Sequence, residues 1–294
     1  MGKKITQLNA NELPYDGHEL IAIVEAGETR GGTLSSITNY LTGAVYDSLG
    51  GTPGVQPIAS PLKNNFFITT QSIAGDLSGT GRLTIGTSQS ASGTLATIAG
   101  GTGNTANSNC SFIGGGEDNK AGLVAACCYV FIGGGCNNMA TKPTGTVTGG
   151  ESNVAQGWGN FIGGGCDNTT YLNSYSSIVG GRGNAVNSAC STIAGGKDNT
   201  IDISSHYSVV GGGSGNCTNS SHASILGGLL NHASGCGSTV VGGLSNRTTA
   251  SNAFIGGGGQ NAVHGLSAAA VGGRLNIASG TTSFIGGGDS NKTS

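Results

Sequence analysis

The stretch Ser176-Ser177-Ile178-Val179-Gly180-Gly181-Arg182-Gly183-Asn184-Ala185-Val186-Asn187-Ser188-Ala189-Cys190 is followed at once by Ser191-Thr192-Ile193-Ala194-Gly195-Gly196-Lys197-Asp198-Asn199. The second run restates the first: Ser, any residue, an apolar residue, any residue, Gly-Gly, two more, then Asn. Working outward, the apolar residue of this motif recurs at Ile98, Ile113, Ile132, Val147, Ile162, Ile178, Ile193, Val210, Ile225, Val240, Ile255, Ala270 and Ile285. Nine of the twelve steps between these thirteen positions are 15 residues. The full unit is S-x-I-x-G-G-x-x-N-x-A-x-G-x-x, and Gln89 to Ile98 reads as one degenerate copy before the first clear one. A fixed short period of this kind is the signature of a solenoid.

Each unit holds two stretches of period two, Ser-x-Ile-x-Gly and Asn-x-Ala-x-Gly, and alternation at that period predicts strand. Glycine and Asn sit between them, where the chain turns and needs unusual backbone angles. Two strands and two turns in 15 residues make one rung of a narrow all-β solenoid over residues 83–294. At about 4.8 Å per rung, thirteen motifs give a rod of roughly 60 Å. Asn recurs in all thirteen copies, from Asn104 to Asn291. That column predicts either a hydrogen-bonded ladder between rungs or a left-handed turn residue.

The residues flanking the Ile carry more. Phe112, Phe131, Phe161, Phe254 and Phe284 precede it, and in each case a Gly follows it: Gly114, Gly133, Gly163, Gly256 and Gly286. Where Ser or Thr precedes, a larger residue often follows, as with Val179, Leu226 and Val241. Large balanced by small is expected of a packed surface. The five phenylalanines are therefore the predicted inter-chain packing residues, with a copy of the same chain as the simplest cover.

Composition agrees with such a fold. The 294 residues include 58 Gly and only 9% charged residues, with a net charge of −2. Low charge argues against nucleic acid as a partner, since phosphate binding needs clustered Lys and Arg. No stretch approaches the length of a membrane-spanning helix. The basic Met1-Gly2-Lys3-Lys4 is followed by no apolar run, so no secretory signal peptide is expected. Gly2 with Thr6 matches a myristoylation pattern, a short motif that chance supplies often. None of the eight cysteines shows paired CxxC spacing; Cys110 and Cys190 precede the repeat Ser, Cys136 and Cys166 share a later position, and free thiols are expected.

Ahead of the repeat, residues 1–45 hold eight of the chain's 26 charged residues within the first 30 positions. Leu20-Ile21-Ala22-Ile23-Val24 predicts a strand and Ala26-Gly27-Glu28-Thr29 a turn. Gly31-Gly32-Thr33-Leu34 leads out, and Ser35 or Ser36 caps a short helix through Leu41, giving a small α+β module. Residues 46–82, with Pro53, Pro57 and Pro61, read as an extended neck anchored by Phe66-Phe67-Ile68.

The repeat unit resembles the head repeat of YadA-like trimeric autotransporter adhesins over roughly residues 83–294. The resemblance implies a left-handed β-roll and a homotrimer. This chain departs from that family by one extra Gly per unit and by the export signal, stalk and membrane anchor it does not show, which argues against a bacterial surface adhesin. The N-terminal stretch resembles the opening module of tailed-phage fibres. Lys4-Ile5-Thr6-Gln7-Leu8-Asn9-Ala10 stands where such proteins carry "KISxLPxA". Glu19-Leu20-Ile21-Ala22-Ile23-Val24-Glu25-Ala26-Gly27 stands for "ELVPVVQGG", and Thr33-Leu34-Ser35-Ser36-Ile37 for "TLSQI". That likeness implies a virion location, with residues 1–45 attached to a baseplate, tail or capsid protein.

The expected function is thus a non-enzymatic virion fibre that presents a trimeric solenoid to a host surface glycan or protein. Three steps of the repeat are longer than 15, with extra residues after Asn119, Asn168 and Asn199. Tyr129, Tyr171, Tyr175 and Tyr207 lie there, and Trp158 in a turn of a neighbouring rung. These five are the candidate receptor contacts, since aromatic rings combine large area with a polar handle. The competing expectation is that they pin their own loops to the rod. Carboxylates recur before the Asn at Glu117-Asp118, Glu151, Asp167, Asp198 and Asp289; a polysaccharide-cleaving tailspike needs a facing pair of them, and solvated turn residues fit better. No Lys-Ser/Thr follows the Gly-Gly turns, which excludes phosphate loops. The five His show no metal spacing, and no cofactor or catalytic residue is expected. A regular Thr array of the kind a flat ice-binding face needs is not evident. Because solenoid ends need caps, the half-rung Asn291-Lys292-Thr293-Ser294 predicts either a partner protein at the C-terminal tip or sealing by trimer contacts.

Overall fold

The computed structural model describes the backbone of residues 20–25 and 28–33, together with residues 83–123, 128–171 and 174–294. The chain divides into two compact units, Met1–Phe66 and Phe67–Ser294.

In the first unit, strand β1 (Leu20–Glu25) pairs antiparallel with β2 (Glu28–Thr33), so that Leu20 faces Thr33 and Glu25 faces Glu28. The expected turn over Ala26–Thr29 is corrected: Glu28 and Thr29 already belong to β2, as do Gly31 and Gly32. Only two residues connect the strands, the commonest hairpin length. The helix expected through Leu41 and the neck with Phe66-Phe67-Ile68 lie outside the described residues.

The second unit is an all-β solenoid. Two parallel sheets of 14 strands each run its length, and odd and even strands alternate between them. Every strand is two residues long, because the chain must turn twice within about 15 residues. Counting the motif's apolar residue as position 1, the first sheet takes positions 15 and 1, as in Thr192–Ile193, and the second takes positions 8 and 9, as in Thr200–Ile201. Register is one-to-one: Ile178 faces Ile162 below and Ile193 above. The first described rung of the solenoid starts at Leu83, ahead of the degenerate copy. Leu83–Thr84 already pairs with Thr97–Ile98, and Gln89 stands in the Asn column, its Oε1 accepting from Asn104 N at 2.9 Å.

The core is a stack of single residues. Ile, Val or Ala at position 1 and Ala, Val, Ile or Thr at position 9 are buried throughout most of the rod. The Asn column at position 7 is equally buried, and Asn184 shows how. Its Nδ2 donates to Gly180 O in its own rung at 3.1 Å and to Gly196 O in the next at 3.0 Å. Its Oδ1 accepts from the backbone N of Asn199 at 3.1 Å. Of the two readings of this column, the ladder holds. The left-handed conformation falls instead to position 6, the residue before it, as at Asp167 and Asp198.

Glycine at position 4 follows from the same geometry. Gly181 has φ +95°, and a Cβ there would lie 2.2 Å from Gly196 O and 2.6 Å from the Asn184 amide nitrogen. The turn is narrow enough for the ladder only without a side chain.

Candidate interaction surfaces

The outer face of the first sheet is formed by positions 15 and 2, with position 3 at its edge. From Leu83 to Gly286, no Asp, Glu, Lys, Arg or His stands at any of these positions. The face bears Phe112, Phe131, Val179, Val209, Leu226, Val241, Phe254, Val271 and Phe284, all exposed in the single chain, with Phe161 half-buried. The outer face of the second sheet differs: Lys120, Asp202, His232, Arg247 and His264 lie on it.

The Phe–Gly alternation has a source within the chain. At Gly133 a Cβ would stand 2.2 Å from the Thr148 carbonyl oxygen of the next rung and 3.5 Å from a Phe131 ring carbon; at Gly163 it would stand 2.2 Å from Val179 O and 3.3 Å from the Phe161 ring. Phe112 and Phe131 also stack between rungs, with centroids 5.5 Å apart and planes 9° from parallel. Glycine at position 2 thus answers first to the carbonyl of the rung above, with the ring packed beside it, and the same rings still present a surface outward.

Position 3 behaves differently. It is Gly in all thirteen clear repeats. In the rungs with Gly at position 2 it has a left-handed φ, such as +153° at Gly134. In the other rungs it does not, and a Cβ at Gly100, Gly180, Gly227, Gly242 or Gly272 would meet nothing within 4 Å. Among the described residues, no atom blocks a side chain at these five places.

The opposite corner, positions 10 to 13, is where chain length varies. Tyr129, Tyr175 and Tyr207 are not on the inserted segments themselves. They stand at position 13, the regular corner residue that follows each insertion, and each backbone N donates to the rung below: to Asn109 O, Trp158 O and Ala189 O at 3.1, 2.8 and 3.3 Å. All three adopt left-handed backbone, with φ of +58°, +59° and +60°. That conformation costs an L-residue roughly 1–2 kcal/mol, and it is unusual for a bulky side chain. Their rings remain 60–67% exposed. Tyr175 lies over Gly159 one rung below, and Tyr207 stacks on His222 one rung above at 5.3 Å. Trp158 stands beside this column at position 12, 56% exposed. Tyr171 sits apart at position 10, on the edge of the second sheet's outer face.

The carboxylates lie at positions 5 and 6 of a third edge. Stacking interleaves them: Cys136 separates Glu117 from Glu151, while Asn137 and Ser152 separate Asp118 from Asp167. Arg274 and Asp289 form an exposed ion pair at 3.1 Å between adjacent rungs. Two thiols share this edge. Burial and the carboxylates of Glu117, Glu151 and Asp118 raise the Cys136 pKa, and a hydrogen bond to Asp167 raises that of Cys166. The seven described cysteines are free. Among the described residues no group of three His, Cys, Asp or Glu is placed to hold a metal ion. No helix there is long and apolar enough to cross a membrane.

No protein-family model matches the chain, and no curated protein matches it.

Proposed function

We propose that the chain is a non-enzymatic structural fibre of a virus particle, attached through residues 1–45 and presenting its solenoid as a homotrimer to a host surface. The observation that carries the self-assembly is the position-3 glycine column. Gly100, Gly180, Gly227, Gly242 and Gly272 have room for a Cβ and no left-handed φ. Glycine nonetheless stands at each, which supports a constraint from outside the chain. Close approach of another backbone supplies it. The adjoining face supports a copy of the same chain as that neighbour: it is uncharged, exposes Val179, Leu226, Val241 and four phenylalanines, and repeats at the rung spacing. Two such faces match rung for rung. A strip about 60 Å long and a side chain or two wide buries enough area for a stable interface. Attachment to a virion rests on the fibre-like opening from Lys4 to Ile37.

Light scattering on the purified protein tests the reading. A mass three times that of the chain is expected. Replacing Gly180, Gly227 and Gly242 with Leu should shift it to the single-chain mass while the β-sheet circular dichroism persists. A well-folded native monomer overturns the fibre.

A further inference from the structure

We propose that the corner bearing Tyr129, Trp158, Tyr175 and Tyr207 is a docking ridge for an uncharged saccharide chain laid along the solenoid axis. The proposal rests on the fibre reading, to which it adds the edge that touches the receptor and the chemistry of that receptor.

Position 13 is left-handed in every described rung, and glycine fits it without strain. The chain uses that solution twice, at Gly159 and Gly237, and uses the tolerant Asn once, at Asn252. At three other rungs it places tyrosine, and at the remaining seven Leu95, Cys110, Thr144, Cys190, His222, Ser267 and Thr282, so the corner accepts left-handed L-residues generally and the tyrosines stand out by ring size and exposure. The solenoid backbone imposes this conformation at every described rung, and rings this exposed gain little by burial, which leaves their faces open to a ligand. The tyrosines also share one edge. Tyr129 and Tyr175 are three rungs apart, about 14 Å, with Trp158 between them, and Tyr207 is two rungs further, about 10 Å. The four aromatics therefore form a line of roughly 24 Å parallel to the axis.

Charge decides the ligand class. Positions 12 and 13 hold no Asp, Glu, Lys or Arg from Thr94 to Thr282, and the corner's one lysine, Lys142 at position 11 between the Tyr129 and Trp158 rungs, stands alone, so a polyanion finds no repeated counter-charge along the ridge. Neutral hydrogen-bonding groups accompany the rings instead, among them Asn109, Thr144 and Ser174. Exposed rings flanked by neutral donors and acceptors suit a sugar, which has apolar faces and a rim of hydroxyls.

The test uses the full-length protein on an array of neutral oligosaccharides (glucans, galactans, mannans and N-acetylglucosamine polymers) with sialylated and sulfated glycans as charged controls. Binding to neutral members is expected, quenching or shifting Trp158 fluorescence. The combined Tyr129→Gly, Tyr175→Gly and Tyr207→Gly variant should lose at least tenfold in affinity, with an unchanged or higher melting temperature and an unchanged oligomeric mass. Tyr207→Asn, which keeps a residue tolerant of the corner, should behave likewise at its own rung. No binding, binding to charged members alone, or a melting temperature lowered by several degrees in the Gly variant overturns the proposal; the last means that the rings pin the corner. Loss of the trimer in the native protein would instead strike the fibre reading, which the same samples report separately by mass.

Discussion

Asn168 and Gly181 belong to successive rungs, and the Asn168 Nδ2 donates to the Gly181 carbonyl oxygen at 2.8 Å. The same nitrogen donates to Gly164 O at 3.0 Å, and Oδ1 accepts from Asn184 N at 3.0 Å. One buried side chain thus closes its own turn and ties it to the next. Asn168→Ala removes a donor to two carbonyls and the acceptor of a buried N–H. Each buried group left unpaired costs about 1–3 kcal/mol, so denaturant unfolding should show a loss of about 3 kcal/mol or more. Asn168→Asp should be at least as damaging, because a carboxylate faces both carbonyls and has no proton to give. A loss below about 1 kcal/mol in either variant would mean that the ladder follows the fold rather than holding it.

The ladder was legible because it repeats. One period places Asn104 through Asn291 in a column, and Ile98 through Ile285 in another, without any knowledge of contacts. What repetition could not reveal was which alternative a column uses. Asn suits both a ladder and a left-handed turn, and only the backbone angles assign the turn to the variable residue before it. The aromatic corner was misplaced for a related reason. The insertions are visible as long steps between motifs, but where the chain returns to register is set by pairing, such as Tyr175 N to Trp158 O. So tyrosines expected on loops stand on the regular corner. The Phe–Gly pairs were read from volume alone, which does not distinguish a glycine answering to the next rung's carbonyl from a glycine facing another chain.

Thr170 and Thr218 occupy position 9, inside the rod, and their hydroxyl oxygens are buried without a hydrogen-bond partner. Val186 and Val263 fill the same position in other rungs. Thr170→Val and Thr218→Val therefore replace an unpaired buried hydroxyl with a methyl group in a site of proven size. Each should stabilise by about 1 kcal/mol, raising the melting temperature by about 2–4 °C. Thr248 is the control: its hydroxyl donates to Ser238 Oγ at 2.8 Å, and Thr248→Val should lower stability instead.

His232 stands on the second sheet's outer face, paired in register with Arg247 of the next rung. Burial, and then the neighbouring guanidinium, hold its pKa below the ordinary value of 6.5. The folded chain therefore binds this proton more weakly than the unfolded chain. Its contribution to stability is present above pH 6.5 and is lost as pH falls through the lower folded-state value. Thermal melts of native protein and His232→Gln between pH 7.5 and pH 5 should diverge, the native protein losing more on acidification. Parallel curves would show that the imidazole is solvated as freely folded as unfolded.

Gly180 and Gly181 are neighbours with opposite constraints, and substituting each in turn separates what one chain needs from what its surroundings need. Gly181→Ala forces a Cβ to within 2.2 Å of Gly196 O at φ +95°. The next rung cannot retreat without breaking its ladder, so stability should fall by several kcal/mol, on the order of an overpacked core. Gly180→Ala meets open space in the single chain. On a free surface it should be neutral or stabilise by about 0.4–1 kcal/mol, because alanine restricts the unfolded chain more than glycine does. Against a closely packed neighbour it should destabilise and make melting depend on protein concentration. The sign of that one substitution, measured beside Gly181→Ala at two protein concentrations, reports whether the uncharged face is covered.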